Sequence, residues 1–268
     1  MTRLDAIILG LVEGFTEFLP ISSTGHLILT RSLLGLEGKS IDGLLIVIQG
    51  AAVLAVCYEY RRRLWNTLCK LPDDPVARRF GINVAVAFLP LAALGFYFGD
   101  WIENLLFAPL PVAIALIVGG ALILWAERRK HIVSLHSVDD IRPGAALKIG
   151  FFQALALIPG TSRAAATILG GLLIGMRREV ATEFSFFVAI PTLLIATAYK
   201  LWQMRTVLDG AEIENLLLSS VVSFLTALIT IRWLLRFVSR HSFVGFAWYR
   251  IGFGGIVILT DVFGLLRW

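Results

Sequence analysis

The chain has 268 residues, of which 57% are hydrophobic and only 16% are charged. Soluble domains are closer to half apolar and a quarter charged, so this composition excludes an ordinary water-soluble protein and predicts helices that span a lipid bilayer. The formal net charge of +5 does not indicate a nucleic-acid partner, because the basic residues cluster at the ends of apolar segments, where membrane topology requires them.

Two apolar segments are interrupted by turn-forming and polar residues. Residues 5–35 are broken at Pro20 and the Ser-Ser-Thr-Gly sequence after it, and residues 145–176 are broken at Pro159 and the Gly-Thr-Ser-Arg sequence after it. Broken backbone at membrane depth is tolerated only against protein or water. We therefore predict that each segment forms a re-entrant helix–loop–helix pair. For the first segment the alternative is a single span that is kinked at its proline.

Six further apolar segments are long enough to cross a bilayer. They cover residues 41–60, 80–99, 109–126, 183–202, 215–235 and 247–266. The loops 61–79 and 127–148 are rich in basic residues, whereas the loops 100–108 and 206–214 carry acidic residues and no base. Because short basic loops stay in the cytoplasm, the first re-entrant pair is predicted to open to the outside and the second to the inside, with both termini outside.

A weak internal repeat relates the two halves of the chain. A shift of 139 residues places Pro20 on Pro159. Each half, residues 5–126 and residues 145–266, then holds one re-entrant pair and three spans, and because three is odd the second half must be inverted. Inverted repeats with broken helices bring their polar loops together near the middle of the bilayer. The predicted fold is a single all-α polytopic membrane domain, residues 1–268, built as an inverted-topology repeat.

The two loops are predicted to bring carboxylates, hydroxyls and an arginine into one cavity. Glu13 and Glu17 are one helical turn apart and share a helix face, so they can hold a divalent cation such as Mg²⁺ or Ca²⁺. Arg163 lies in the middle of an apolar segment and offers a planar fork suited to phosphate oxygens. The remaining phosphate-binding candidates are turn residues with backbone N–H groups free to bind an anion and one polar residue within a span: Thr24, Gly160, Thr161, Ser162 and Gln49.

The predicted catalytic group consists of Ser23, His26, Glu17 and Arg163. A hydroxyl near an imidazole is the usual pairing of a nucleophile with its base, but His26 could instead attack phosphorus itself, and the spacing leaves both roles open. Phosphoryl transfer depends mainly on positioning and charge stabilisation. Structural roles are the alternatives: the glutamates as ion-pair partners of Arg163 or Arg31, the serines as helix caps, and His26 as a buried structural histidine.

These residues resemble the motifs of the undecaprenyl-diphosphate phosphatase family of bacterial membranes, the bacitracin-resistance type. The resemblance covers the whole chain and is carried by Glu13-Gly-Phe-Thr-Glu17-Phe-Leu-Pro20 with Ser22-Ser23-Thr-Gly-His26, by Pro159-Gly-Thr-Ser162-Arg163 with Thr167, and by Glu183-Phe-Ser185-Phe. It implies hydrolysis of undecaprenyl diphosphate to undecaprenyl phosphate and inorganic phosphate, which recycles the lipid carrier of cell-wall synthesis. It also implies a divalent-metal requirement and a place in the bacterial inner membrane, with the site open to the periplasmic side.

The functional positions that the resemblance implies are all present, as Glu13, Glu17, Ser23, His26, Ser162 and Arg163. One departure is Ala164, where the family commonly has a serine; if that hydroxyl binds phosphate, its loss would lower activity. The alternative function is a transporter or flippase of prenyl phosphate lipids, because inverted repeats with broken helices are typical of transporters. A nucleophile beside a base favours chemistry instead. Whether the protein is a monomer or a homodimer is left open by the sequence.

Overall fold

The computed structural model describes residues 1–106, 108–129, 132–205 and 210–264, and it confirms the all-α prediction for this part of the chain. The described α-helices are Arg3–Thr16 (α1), Ser23–Leu33 (α2), Lys39–Glu59 (α3), Arg61–Lys70 (α4), Pro75–Leu106 (α5), Pro109–Arg128 (α6), Pro143–Ala154 (α7), Arg163–Leu173 (α8), Arg178–Met204 (α9), Gly210–Val238 (α10) and Val244–Val262 (α11). Short 3₁₀ helices lie at Val138–Asp140 and Leu155–Leu157.

Five of the described helices are long and apolar enough to cross a membrane, and they confirm five of the six predicted spans. They cover Ile41–Glu59, Pro75–Gly99, Pro109–Arg128, Arg178–Met204 and Glu212–Val238. The sixth predicted span, 247–266, falls on α11, which has 19 residues and carries Arg250 and Asp261. Those two charges lower its apolar character, and α11 is not one of the five. The last two residues of that prediction lie outside the described part of the chain.

Two of the predicted acidic loops are shorter than expected. Helix α5 continues to Leu106 and takes in most of the predicted loop 100–108, because residues 100–106 contain no proline or glycine that would end it. Helix α10 begins at Gly210, so residues 210–214 of the second loop are helical. The side chains of Asp100 and Glu103, and residues 206–209, lie outside the described part.

Both predicted breaks are present in the structure. Helix α1 ends at Thr16, and α2 begins at Ser23; α7 gives way to a 3₁₀ turn before α8 begins at Arg163. The alternative of one span kinked at Pro20 is therefore wrong, because the helix has already ended before the proline. The two helices of each broken pair contact each other.

Helices from the two halves of the chain pack against each other. Helix α1 packs along α10, α7 packs along α5, α6 packs along α11, and α3 packs along both α9 and α10. A large apolar core fills the centre, with the aromatic rings of Phe18, Phe184, Phe186 and Phe187 fully buried within it. Each broken pair is thus held by a helix of the opposite half.

The contact between α1 and α10 depends on glycine. A Cβ atom built on Gly14 would lie 2.6 Å from the carbonyl oxygen of Ser223 and 2.7 Å from the Cβ atom of Thr226, so the two backbones could not approach this closely with any other residue. Small residues at such crossings are the usual means of close helix packing in membranes.

Gly14→Ala should therefore destabilise the protein. We expect it to lower the free energy of unfolding by about 1–3 kcal/mol, the usual cost of overpacking a close contact, when unfolding is followed in detergent by intrinsic tryptophan fluorescence. Gly245→Ala is the matched control, because no atom of the described residues outside its own helix backbone lies within 4 Å of the added Cβ. Equal stability of the two variants would contradict this account of the α1–α10 contact.

Candidate functional site

The two breaks end in the same unusual cap. Ser22 caps α2 and Ser162 caps α8, and each hydroxyl accepts a hydrogen bond from the backbone N–H three residues later, at 3.4 Å and 3.2 Å. Both serines have φ in the left-handed region, 73° and 68°, which is uncommon for a residue other than glycine. Strained backbone of this kind concentrates at functional sites.

The second loop is one residue longer than the first. One residue separates Pro20 from its cap Ser22, whereas two residues separate Pro159 from its cap Ser162, so the shift of 139 residues becomes 140 at the caps. Gly160 occupies the extra length with φ of 91°, and a Cβ atom there would lie 2.5 Å from the carbonyl oxygen of Val112. Only glycine fits this close approach.

The two loops and their caps meet around one polar cavity of about 150 Å³. It is lined by Glu17, Ser22, Ser23, Thr24, Gln49, Leu91, Ala156, Ile158, Gly160, Ser162, Arg163, Thr192 and Leu193. Seven of the predicted site residues are in this set, and they come from both broken pairs and from α3. Glu13, His26 and Thr161, which were also predicted, do not belong to the lining.

Glu17 connects the two loops. Its Oε2 accepts a 2.5 Å hydrogen bond from the Ser23 hydroxyl, and its Oε1 lies 3.1 Å from Nη2 of Arg163. All three side chains are nearly inaccessible to solvent, with 6%, 8% and 9% of each residue exposed. The structure therefore places a hydroxyl, a carboxylate and a guanidinium in one buried chain of hydrogen bonds at the cavity wall. A structural role for Glu17 as the partner of Arg163 is part of this arrangement.

Arg163 is held from a second side by α9. Its Nη1 donates to the carbonyl oxygen of Ser185 at 3.0 Å. The hydroxyl of Ser185 is in turn 2.7 Å from that of Thr167, which donates within α8 to main-chain carbonyls. The carbonyl of Ser185 on α9 thus holds one end of the guanidinium, while Nε of Arg163 has no hydrogen-bond partner among the described residues.

Glu13 lies one turn before Glu17 and is fully buried. Both of its carboxylate oxygens are inaccessible and accept no hydrogen bond from a donor group of the described residues, and the carboxylate of Glu17 is close enough to interact with it. A buried carboxylate without partners is costly. A proton shared with Glu17 would satisfy one oxygen of Glu13, and a divalent cation would satisfy both. The described residues contain no cluster of three or more His, Cys, Asp or Glu side chains that could hold a metal. A cation here would need further oxygen ligands from substrate or water.

Both ring nitrogens of His26 contact groups other than the Ser23 hydroxyl, which donates to Glu17, so the predicted pairing of Ser23 with His26 is not formed in this structure. Its Nδ1 lies 2.7 Å from the carbonyl oxygen of Ser22, and its Nε2 lies 2.7 Å from the hydroxyl of Tyr249. Because a carbonyl only accepts, Nδ1 carries a proton, and in the neutral imidazole Nε2 then accepts from the tyrosine. The backbone N–H of His26 is 3.4 Å from the same carbonyl, a long helical bond that leaves this oxygen available to the ring.

Helix α11 contributes side chains that sequence reasoning missed. The ring of His26 stacks on Phe253, with centroids 4.1 Å apart, and lies beside Tyr249. Arg250, which lies between Tyr249 and Phe253 in the sequence, is completely buried. A charged side chain within a membrane span usually has a function. Arg250 lies within the predicted span 247–266, so this rule would have identified it as a candidate.

Ala164, the departure from the expected motif, does not line the cavity. Its side chain is 1% exposed and belongs to the main apolar core. A serine at this position would thus lie on the side of α8 that faces the apolar core, and not in the cavity wall.

Comparison with known proteins identifies the family. The family model described as "Bacitracin resistance protein BacA" matches residues 6–256. "Undecaprenyl-diphosphatase 2" of Rhodospirillum rubrum is 54% identical over 266 residues, which cover 99% of this chain and 97% of that protein. "Undecaprenyl-diphosphatase" of Nitrosospira multiformis is 52% identical over 265 residues, with 99% and 97% covered, and that of Ectopseudomonas mendocina is 49% identical over 264 residues, with 98% and 96% covered. The resemblance seen in the motifs is confirmed: this chain belongs to the bacitracin resistance protein BacA family.

Proposed function

We propose that this chain is an integral membrane enzyme that hydrolyses undecaprenyl diphosphate to undecaprenyl phosphate and inorganic phosphate. The observation that carries the proposal is the buried chain from Ser23 through Glu17 to Arg163 at the wall of one polar cavity. A nucleophile, an acceptor for its proton and a fixed cation are the parts that phosphoryl transfer requires. The names of the full-length relatives support this substrate.

In the proposed reaction, Arg163 binds the terminal phosphate. The Ser23 oxygen attacks the terminal phosphorus while Glu17, which already accepts its proton, takes it up. The bond to the bridging oxygen breaks, undecaprenyl phosphate leaves, and water then hydrolyses the phosphoserine to regenerate Ser23 and release inorganic phosphate. Phosphoryl transfer has a loose transition state with little bond formation to the nucleophile, so only a weak base is needed. A carboxylate that is paired with arginine is therefore basic enough to take up the Ser23 proton.

The ion pair between Glu17 and Arg163 affects how substrate binds. A phosphate that takes over the guanidinium donors leaves the carboxylate without its partner. Uptake of the Ser23 proton then relieves the repulsion between carboxylate and phosphate. Breaking the ion pair costs free energy when the substrate binds. Part of that free energy is regained when Glu17 takes up the proton, so the transition state is stabilised more than the bound substrate.

Glu13 and Glu17 would hold the divalent cation, Mg²⁺ or Ca²⁺, that we propose as cofactor. Bound there, it would neutralise charge on the diphosphate and on the carboxylates. The support is the buried Glu13 carboxylate, neither of whose oxygens accepts a hydrogen bond from a donor group of the described residues.

Removal of the metal should abolish activity reversibly. We expect a chelator to stop phosphate release and added Mg²⁺ or Ca²⁺ to restore it. Glu13→Gln should raise the metal concentration for half-maximal activity by at least about tenfold, as loss of a residue at a metal site usually does. Glu37→Gln, which removes an exposed acid, is the control. Full activity in the presence of chelator would overturn the metal assignment.

We further propose that the fold is an inverted repeat with six spans and two re-entrant pairs, in the bacterial inner membrane, with the cavity open to the periplasm. The packing of α1 on α10 has its counterpart in the packing of α7 on α5. The 11-residue helices α2 and α8 begin at matching serine caps. These correspondences support the repeat, and the basic loops support the orientation.

The test is phosphate release by the purified protein in detergent, with a long-chain prenyl diphosphate as substrate and stoichiometric recovery of the monophosphate. Folded protein that binds the substrate without releasing phosphate, in the presence of either cation, would overturn the enzyme assignment. Transport of prenyl phosphate lipids would then be the better account. Reconstituted vesicles with substrate in one leaflet would test it.

A further inference from the structure

Arg250 is a buried cation whose hydrogen-bond partners among the described residues are all main-chain oxygens. It is 0% exposed. Its Nε donates to Leu116 at 3.3 Å and its Nη2 to Ala115 at 3.1 Å, both on α6. Its Nη1 donates to Pro20 at 3.2 Å, and its Nη2 donates also to Gly160 at 3.1 Å. One guanidinium from α11 therefore joins both broken loops and the helix behind them.

The two loop carbonyls occupy equivalent places. Pro20 lies three residues before Ser23, and Gly160 lies three residues before Arg163. Between each carbonyl and its reactive side chain stands a serine with left-handed φ, so the geometry of the connection is set by the backbone. A displacement of either carbonyl would therefore move the side chain that follows it.

Arg250 forms no ion pair with a carboxylate in the described part of the chain, and burial of such an arginine is unfavourable unless its donors are well satisfied. Apolar side chains would seal the space between α6 and α11 at less cost if packing were the only need. The neighbouring backbone is also shaped for this side chain, because a Cβ atom on Gly119 would lie 2.2 Å from Nη2 and 2.8 Å from Cζ of Arg250. The site accommodates the guanidinium itself.

We infer that Arg250 is a positioning residue that fixes the separation of the two loops, so that Ser23 can attack the same phosphate that Arg163 binds. This inference rests on the proposed diphosphatase activity. Arginine suits the task because its planar fork spans two loops at once, whereas the ammonium of lysine is a single point of charge.

The test compares Arg250→Met, Arg250→Lys and Gly119→Ala with Gly252→Ala. The Cβ added by Gly252→Ala has no atom within 4 Å in the part of the chain that the structure describes, apart from its own helix backbone. Gly119→Ala keeps the arginine and displaces its guanidinium. For each variant, the unfolding temperature in detergent is measured together with kcat and KM for prenyl diphosphate. A structural role alone would lower the amount of folded enzyme and leave kcat per folded molecule unchanged.

We expect kcat of folded Arg250→Met to fall by about a hundredfold, the size of effect that a displacement near 1 Å produces at a reacting centre. Arg250→Lys should recover part of that loss, and Gly119→Ala should lower kcat by about tenfold. KM should change far less than kcat, and Gly252→Ala should match the wild type.

Normal kcat per folded molecule in both Gly119→Ala and Arg250→Lys would overturn the inference, even if Arg250→Met fails to fold. An equal loss in Gly252→Ala would also overturn it. Absence of phosphate release from the wild type would contradict the proposed function instead, so the two failures are distinguishable.

Discussion

Replacing Arg163 with alanine should lower kcat/KM for prenyl diphosphate by about a thousandfold or more, the range seen when an arginine that stabilises a transferring phosphoryl group is lost. Arg163 is the guanidinium of the cavity lining, and α9 fixes its direction through the carbonyl of Ser185. Its removal leaves phosphate without a fixed donor pair. Arg163→Lys should recover only part of the rate, because a point charge cannot bind two phosphate oxygens in the plane of a fork.

The Arg163→Ala variant also leaves Glu17 as a buried charge without its partner, which destabilises a fold by about 3–5 kcal/mol. The activity loss must therefore be separated from loss of folded protein. Glu17→Gln combined with Arg163→Ala removes both charges and should recover stability without recovering activity. Arg62→Ala, at an exposed position, controls for a change of net charge. Wild-type activity in folded Arg163→Ala would contradict its role.

Replacing Ser23 with alanine should reduce the rate by about a thousandfold or more, as loss of a nucleophile does, while substrate binding persists. The Ser23 hydroxyl is the group that Glu17 is placed to deprotonate. The variant keeps the Arg163 guanidinium in the cavity, and this guanidinium is the group proposed to bind phosphate. Phosphate release measures the loss, and binding of radiolabelled prenyl diphosphate to the folded variant measures what is retained.

The same variant distinguishes the two nucleophiles that the sequence left open. During turnover, a quenched wild-type enzyme should carry acid-stable phosphoserine at position 23, detectable by mass spectrometry. If His26 attacked phosphorus, the adduct would be an acid-labile phosphohistidine, and Ser23→Ala would keep it. The second result would reverse the roles proposed for these two residues. Ser239→Ala, an exposed hydroxyl at the end of α10, is the control.

The broken helices could be predicted because their breakers are local. Pro20 and Pro159 each precede a cluster of small polar residues, and such sequences stop a helix whatever surrounds them. Proline alone would have misled, since Pro90 and Pro191 lie inside α5 and α9. The convergence of Glu17, Ser23 and Arg163 followed from the repeat, because inverted halves bring equivalent loops together.

Contacts set by tertiary packing could not be predicted in the same way. Three-residue spacing places Ser23 and His26 near one helix face, but a tyrosine on α11 and the Ser22 carbonyl determine where the imidazole points. Likewise, no local pattern indicates that Arg250 reaches one loop 230 residues earlier and another 90 residues earlier. Such pairings depend on which helices are neighbours in the folded chain, and spacing along the sequence does not record that.

The size of the cavity has a consequence for how the lipid is recognised. About 150 Å³ is well below the roughly 300–1,000 Å³ of pockets that enclose a drug-sized ligand, so we expect the cavity to take the head group of the proposed substrate while the prenyl tail stays outside it. Transfer of that tail from lipid to an apolar protein face gains little, because both are equally hydrocarbon-like. Tail length then governs how much substrate resides in the membrane, and head-group chemistry governs turnover. The natural concentration unit for this enzyme is thus the mole fraction of substrate in the bilayer, and affinities expressed per volume of water would mainly report partitioning.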